Sequence, residues 1–316
     1  MDLPKITTDD ICDLSLIYKE DLSYSYSLPE NILISFLHGK AFDYPNFYTH
    51  DELEKLKADI NDLFHEIMSK NPVKNNIAII SAGSPGSGKT TLLWQKLQEE
   101  TQAGYNYAHV SPDEVCLKGQ KRTYVADIEA GDRSKEAREQ AYTKWRPGSN
   151  AATHLLLANL IRKKYAFYFE TTCSSPQTCK FFEFLKKQGY RIKILHVIAS
   201  DKVRWDSIQE RDKTFIQTTE QDIREKGLLV PQRINDTFLK YVDEIEFYYR
   251  KEVSQDALLA ARWIKNDDTF ESLGTLKVIN SEAYENVKAT HNIAIEILDK
   301  PELKWEATIE SVSSIL

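Results

Sequence analysis

The sequence is most informative first in what it lacks. It has no apolar run approaching the ~20 residues that a bilayer-spanning helix needs, and its opening, Met1-Asp2-Leu3-Pro4, does not read as a signal peptide. Only four cysteines occur (Cys12, Cys116, Cys173, Cys179), without the paired spacing of a zinc site, and the seven histidines form no cluster. A disulfide scaffold and a zinc module are therefore excluded, and free thiols in a reducing cytosol are the expectation. Excess positive charge is missing too: 41 Lys and Arg stand against 48 Asp and Glu, a net charge of −7. A general nucleic-acid binder would be basic, so none is expected. Internal repeats and low-complexity segments are absent. What is left, at 316 residues, 41% hydrophobic and 28% charged, is one large domain or one domain with an extension.

The chain is organised around Ile77-Ala-Ile-Ile-Ser-Ala-Gly83-Ser84-Pro85-Gly86-Ser87-Gly88-Lys89-Thr90-Thr91. An apolar strand runs into G-x-x-x-x-G-K-T and on into a helix, the full context of a phosphate-binding loop. Glycines at 83, 86 and 88 let the backbone turn tightly and approach a polyphosphate. Backbone N–H groups and the following helix N-terminus then aim positive partial charge at it. Lys89 reaches the β- and γ-phosphates in this pattern and the Thr90 hydroxyl ligates Mg²⁺, so the chain is expected to bind a nucleoside triphosphate.

Before this loop, Asp51 to Met68 sets Leu53, Leu56, Ile60, Leu63, Phe64 and Ile67 on one helical stripe. A shorter helix is expected over Pro29–Leu37. Tyr24, Tyr26, Tyr44 and Tyr48 read as rings capping a helical layer, with a ligand or partner surface as the alternative. After the loop, the strand at Tyr105–Val110 ends in Ser111-Pro-Asp113-Glu114. There Asp113 is either a carboxylate on the ligand rim of an open sheet or a helix cap. Residues 119–135 read as charged and irregular. A helix from Ser134 to Trp145 is expected to stop at Pro147-Gly148, with a second starting at Ser149.

The aromatic run Tyr165–Phe169, ending in Glu170, suits a strand covered on both faces. A helix through Phe181 and Leu185, a turn at Gly189, the strand from Ile192 and a helix bearing Arg204 and Arg211 complete βαβ units with a parallel sheet. Residues 212–231, with Arg224 and Lys226, look like a lid over the phosphates. A long helix is expected from Pro231 to about Val253, edge strands at Ala261–Lys265 and Leu276–Ile279, and a last helix over roughly 282–299.

In this order the residues resemble the zeta-toxin family of P-loop kinases. The likeness runs from about Ile77 to Lys213, and more weakly to about residue 280. It rests on Gly83 to Thr91, Ser111-Pro-Asp113, Ser149-Asn150, Glu170-Thr-Thr172, Lys187-Gln-Gly-Tyr190 and Glu210-Arg211. The resemblance implies an α/β P-loop kinase with a parallel sheet flanked by helices, here with an N-terminal helical extension. It implies Mg²⁺ and transfer from ATP or GTP to a sugar hydroxyl, that of UDP-N-acetylglucosamine in characterised members. Carried over by position, Asp113 is the base, Lys89 and Thr90 hold nucleotide and metal, Glu170 and Thr172 line the acceptor and metal site, and Arg211 stabilises phosphate. His154 stands where the family has an acidic acceptor contact, and Arg204, Arg224 and Lys226 are the candidate lid cations.

The expected domains are an extension over 1–75, the kinase over 76–300 and a tail over 301–316. Other readings stay open: a kinase for another small molecule (antibiotic, nucleoside, sugar), a nucleotide-hydrolysing switch, or an interaction scaffold on the same fold. No guanine-type Asn-Lys-x-Asp follows the loop, and no basic-aromatic strip suggests a polynucleotide substrate. An antitoxin or other protein partner is compatible with the resemblance. A cytoplasmic protein is expected, with export as a bacterial effector acting in a host cytosol as the alternative suggested by the acidic, hydrophobic-tipped end at 302–316.

Overall fold

The computed structural model describes residues 12–14, 48–131, 133–176, 178–211, 218–266 and 274–290. The expected helix over Pro29–Leu37, Tyr24, Tyr26, Tyr44 and the tail over 301–316 lie outside them. Among the described residues no helix is long and apolar enough to cross a membrane. The chain divides into two compact units, one of residues 1–76 and 100–167, the other of 77–99 and 168–316.

In the first unit, α1 (His50–Ser69) opens with a capping box: Thr49 Oγ1 accepts from Glu52 N at 3.2 Å, while Glu52 Oε2 accepts from Thr49 N at 2.8 Å. Of the expected stripe, Leu53, Leu56, Ile60, Phe64 and Ile67 are buried and Leu63 is half-buried. The strand β2 (Ala108–Val110) leads through a three-residue helix, Pro112–Glu114, and a π turn, Val115–Gly119, to α3 (Tyr124–Ala130). The expectation of irregular backbone over 119–135 is thus corrected. Fully buried Asp59 of α1 accepts from Arg122 N at 3.0 Å, Arg122 Nη1 at 3.1 Å and Thr123 Oγ1 at 3.0 Å, which anchors the start of α3. Asp127 accepts from Trp145 Nε1 at 2.7 Å. The charges that look solvated in sequence are therefore used inside the fold.

The second correction concerns α4, a single helix Lys135–Arg162 of 28 residues with Pro147 inside it, where two helices are expected. Ser134 is its N-cap, accepting from Ala137 N at 3.1 Å. Proline removes one ladder donor and crowds the preceding turn. The ladder is repaired from outside. The Tyr48 hydroxyl donates to Lys144 O at 2.7 Å and accepts from Gly148 N at 3.1 Å, standing in for the direct bond between those two groups. The Tyr48 ring stacks on Trp145 with centroids 4.7 Å apart, so this tyrosine does cap a helical layer as read. C-terminal to the break, Ala151, Ala152, Leu155, Leu156, Leu160 and Ile161 are buried.

The second unit is a sheet covered by helices. Its strands are β1 (Ile77–Ala82), the end of β3 (Phe167–Phe169), β4 (Arg191–Ile198), β5 (Glu244–Tyr249), β6 (Leu258–Lys265) and β7 (Gly274–Val278), hydrogen-bonded in the order β3-β1-β4-β5-β6-β7. The pairs β1–β4 and β4–β5 are parallel, and β5–β6 and β6–β7 are antiparallel. Strand β1 is buried from Ala78 to Ala82 and β4 from Leu195 to Ile198, the continuous apolar reading of central parallel strands. The unit's helices are α2 (Lys89–Gln102), α5 (Thr178–Lys187), α6 (Asp201–Arg211), α7 (Glu220–Arg233) and α8 (Ser281–Thr290).

Two further expectations change here. The helix expected over Pro231–Val253 is instead the end of α7, a π turn at Ile234–Phe238 and strand β5. Glu244 and Glu246 make that run look helical, but cross-strand partners hold both: Lys193 Nζ lies 3.1 Å from Glu244 and 2.9 Å from Glu246. Tyr248 Oη adds a 2.7 Å bond to Glu246. Strand β6, expected at an edge, lies between β5 and β7, and of the two expected edge strands β7 alone is terminal.

Candidate nucleotide-binding site

In the second unit the turn between β1 and α2 has left-handed backbone at Gly86 (φ 78°) and Gly88 (φ 98°). Close approach adds a second demand for glycine at 86, where a Cβ would strike the Arg204 carbonyl. Gly83 N donates to Thr172 O at 3.1 Å, fixing the loop's entry to the chain beyond β3. Lys89 is 8% exposed and donates from Nζ to Ser84 O at 3.1 Å, folded over the loop it serves. The Ser87 hydroxyl is buried without a hydrogen-bond partner among the described residues, an orphaned polar atom in the bend of the loop. The 14-residue helix α2 starts at Lys89, so its first-turn N–H groups face this bend.

Beside the loop, Thr90 Oγ1 donates to Glu170 Oε1 at 2.5 Å. Glu170 is only 9% exposed, held at the exit of β3. A hydroxyl and a carboxylate in contact next to a phosphate cradle are hard oxygen donors of the kind Mg²⁺ takes once or twice from protein, with phosphate and water completing its shell. The residues fit that ion. Thr172 Oγ1 lies 2.9 Å from Ser174 Oγ, two residues beyond Glu170.

The candidate lid cations separate. Arg204 is 4% exposed, donates from Nη1 to Ile223 O at 2.7 Å and pairs with Asp201. The same Ile223 carbonyl accepts from Ser84 Oγ at 3.0 Å, so α7 is tied to both the phosphate loop and α6. Arg224 pairs with Glu220 at 2.6 Å on the exposed face of α7, and Lys226 lies 3.8 Å from Asp222. Residues 212–217 of the expected lid lie outside the described residues, and 220–233 are helical. Arg211 is the exposed last residue of α6. One residue escaped the sequence reading: Arg250, just past β5, donates from Nη1 to Gly86 O at 3.4 Å. Its only signal is its place immediately after a Phe-Tyr-Tyr run that proves to end a strand.

The remaining candidates lie in the first unit. Ser111 occupies the N-cap position of the Pro112–Glu114 turn, so Asp113 is not its cap. Asp113 accepts from Arg146 Nη1, and Ser149 Oγ donates to Pro112 O at 2.5 Å. The two residues flanking the Pro147–Gly148 break therefore grip the end of the β2 segment. The Asp113 side chain is 49% exposed. Neighbouring Glu114 is held down at about 2, first by the His109 imidazole hydrogen-bonded to it and then by Lys118. His154 is 2% exposed, and burial pulls its pKa down to about 4.

The chain matches the sequence profile of the family described as Zeta toxin over residues 62–247, more than half its length. The chain belongs to the zeta toxin family. No curated protein sequence matches it. Among solved structures, the AvrRxo1-ORF1:-ORF2 complex in its native form is 12% identical, with 84% of this chain and 78% of that one covered at a TM-score of 0.58. The AvrRxo1-ORF1:AvrRxo1-ORF2 structure with sulphate ions is also 12% identical, covering 79% of each chain at a TM-score of 0.55. A structure from the PezAT chromosomal toxin–antitoxin system of Streptococcus pneumoniae is 17% identical, covering 80% of this chain and 99% of that one at a TM-score of 0.48. At such identities the AvrRxo1 likeness shows the fold alone, a mixed α/β architecture.

Proposed function

We propose that this zeta toxin family member is a kinase moving the γ-phosphate of ATP or GTP to a hydroxyl of a small molecule. A nucleotide sugar such as UDP-N-acetylglucosamine is the acceptor that the family suggests. The observation that carries the reading is the Thr90–Glu170 contact at the head of the glycine turn. It sets a metal-type oxygen pair next to a phosphate cradle, the pairing a triphosphate with Mg²⁺ calls for.

In this reading the loop's N–H groups and the α2 N-terminus bind the β- and γ-phosphates, and Lys89 turns from Ser84 O to their oxygens. Thr90 and Glu170 would hold Mg²⁺, which would supply charge neutralisation to the phosphates. Asp113 accepts the acceptor's hydroxyl proton, oriented by its bond to Arg146. Thr172 contributes a hydroxyl to the acceptor, and Arg211 stabilises charge on the transferring group. Arg224 and Lys226 would leave their partners Glu220 and Asp222 to meet phosphate, whereas Arg204 acts from a buried position by holding α7 through Ile223 O, and His154 is buried within α4. A protein antitoxin is the proposed partner, supported by family membership.

The test is loss of γ-phosphate with and without candidate acceptors, UDP-N-acetylglucosamine first. Turnover that depends on acceptor and disappears in Asp113→Asn, with triphosphate affinity retained, supports the kinase. Equal turnover without acceptor would make the protein a nucleotide-hydrolysing switch.

A further inference from the structure

Arg250 stands at the C-terminal end of β5, where its backbone N–H donates to Ile198 O at 2.8 Å. Because β1, β4 and β5 are parallel, this is the end of the sheet that carries the phosphate loop. The guanidinium reaches three separate segments. Nη1 donates to Gly86 O at 3.4 Å and to Ser207 Oγ of α6 at 3.0 Å. Nε donates to Gln255 O at 3.1 Å, and Nη2 donates to Val253 O. The stem of the side chain lies over Gly88, where an added Cβ would sit 3.1 Å from Arg250 Cδ.

We propose that Arg250 is a positioning residue for the nucleotide: a strut that holds the glycine turn open by tying Gly86 to α6 and to the 251–255 segment. The inference rests on the reading of Gly83–Thr91 as a triphosphate site and adds a residue that the family motif does not name. A phosphate nest works only while successive N–H groups point inward, which requires the carbonyls between them to be held outward. Arg250 supplies an outward partner for one such carbonyl. Its fork holds the loop, α6 and the 251–255 segment at once, because several donors sit on one planar group. A lysine would bring the charge to the same place, but three donors on one nitrogen could not meet four acceptors spread over three segments. Shape and charge are therefore separable by experiment.

The test measures binding of inorganic tripolyphosphate and of ATP with Mg²⁺ to the full chain, by calorimetry, for wild type, Arg250→Ala, Arg250→Lys, Ser207→Ala and Lys89→Ala. Charged hydrogen bonds of this kind are each worth enough to move affinity about tenfold. Arg250→Ala and Arg250→Lys are both expected to weaken tripolyphosphate and ATP by about tenfold or more, with the acceptor's KM unchanged. Ser207→Ala, which loses one tie of the strut, is expected to weaken them by a few-fold. A merely structural role would lower melting temperature without singling out the phosphate-bearing ligand. Wild-type tripolyphosphate affinity in Arg250→Lys overturns the strut. If Arg250→Ala does not fold, Arg250→Lys decides the matter by the same criterion. The underlying reading fails separately: if wild type and Lys89→Ala bind tripolyphosphate equally, the glycine turn is not a phosphate site and the strut falls with it.

Discussion

Replacing Tyr48 by Phe deletes one oxygen and leaves the ring on Trp145, 4.7 Å away between centroids. That oxygen is the partner of two groups in the interrupted turn of α4, Lys144 O at 2.7 Å and Gly148 N at 3.1 Å. A buried donor or acceptor stripped of its partner costs ~1–3 kcal/mol, so two stranded groups set an upper range of ~2–6 kcal/mol. The two can recover part of this by bonding directly, since they are four residues apart, although Pro147 resists tightening of that turn. The expected loss is therefore about 2 kcal/mol, read by equilibrium denaturation with an unchanged m-value. Amide exchange at Gly148 should accelerate at the same time, because its protection comes from the Tyr48 hydroxyl. The neighbours of the break give a functional readout as well. Arg146 and Ser149 hold Asp113 and the Pro112 carbonyl, so a loosened turn should slow acceptor phosphorylation while triphosphate affinity stays put. A Tyr48→Phe protein within 0.5 kcal/mol of wild type, roughly the spread of neutral surface changes, would refute the repair of the helix by this hydroxyl.

Lys89→Ala is expected to keep the fold and lose at least ~100-fold in turnover, since in the proposed reading the side chain turns to phosphate and its bond to Ser84 O lies within its own loop. In Asp113→Asn, transfer should drop by ~10²–10⁴ with melting temperature unchanged, because Ser111 and not Asp113 holds the cap position. His154 sets a pH dependence. Its folded pKa of about 4 lies below the ordinary 6.5, so the unfolded chain takes up the proton first. Its contribution is complete above pH 6.5 and is lost as the pH falls from 6.5 towards 4, at most about 3 kcal/mol, and His154→Gln should flatten denaturation midpoints across that window. Asp59→Ala strands Arg122 N and Thr123 Oγ1 around a fully buried position, and a loss of ~3–5 kcal/mol in chemical denaturation is the expected result.

What could be read from the sequence follows the distance over which each residue's partners act. The glycine turn between β1 and α2 is legible because it is built from adjacent backbone, and the stripe from Leu53 to Ile67 is legible because a helix repeats its own geometry. Pro147 misleads because its compensation, Tyr48, lies a hundred positions away along the chain. Glu244 and Glu246 mimic a helix because the lysine that holds them belongs to another strand. Arg250 is invisible for the opposite reason: it has no motif, and its meaning comes only from Gly86, Ser207, Val253 and Gln255 meeting at one guanidinium.

The backbone passes between the two compact units at residues 76/77, 99/100 and 167/168. No single cut can therefore release either unit as one continuous piece. The same threading imposes an order on synthesis. Strand β1 is finished by Ala82, yet its partner in register, Ile77 opposite Arg191, is made only after the whole of the first unit's remaining sequence. At ~5–20 residues per second β1, buried from Ala78 to Ala82 in the finished fold, waits on the order of ten seconds for the neighbour that covers this edge. During that interval the nascent chain carries an open hydrophobic edge, and this is where a chaperone would be needed.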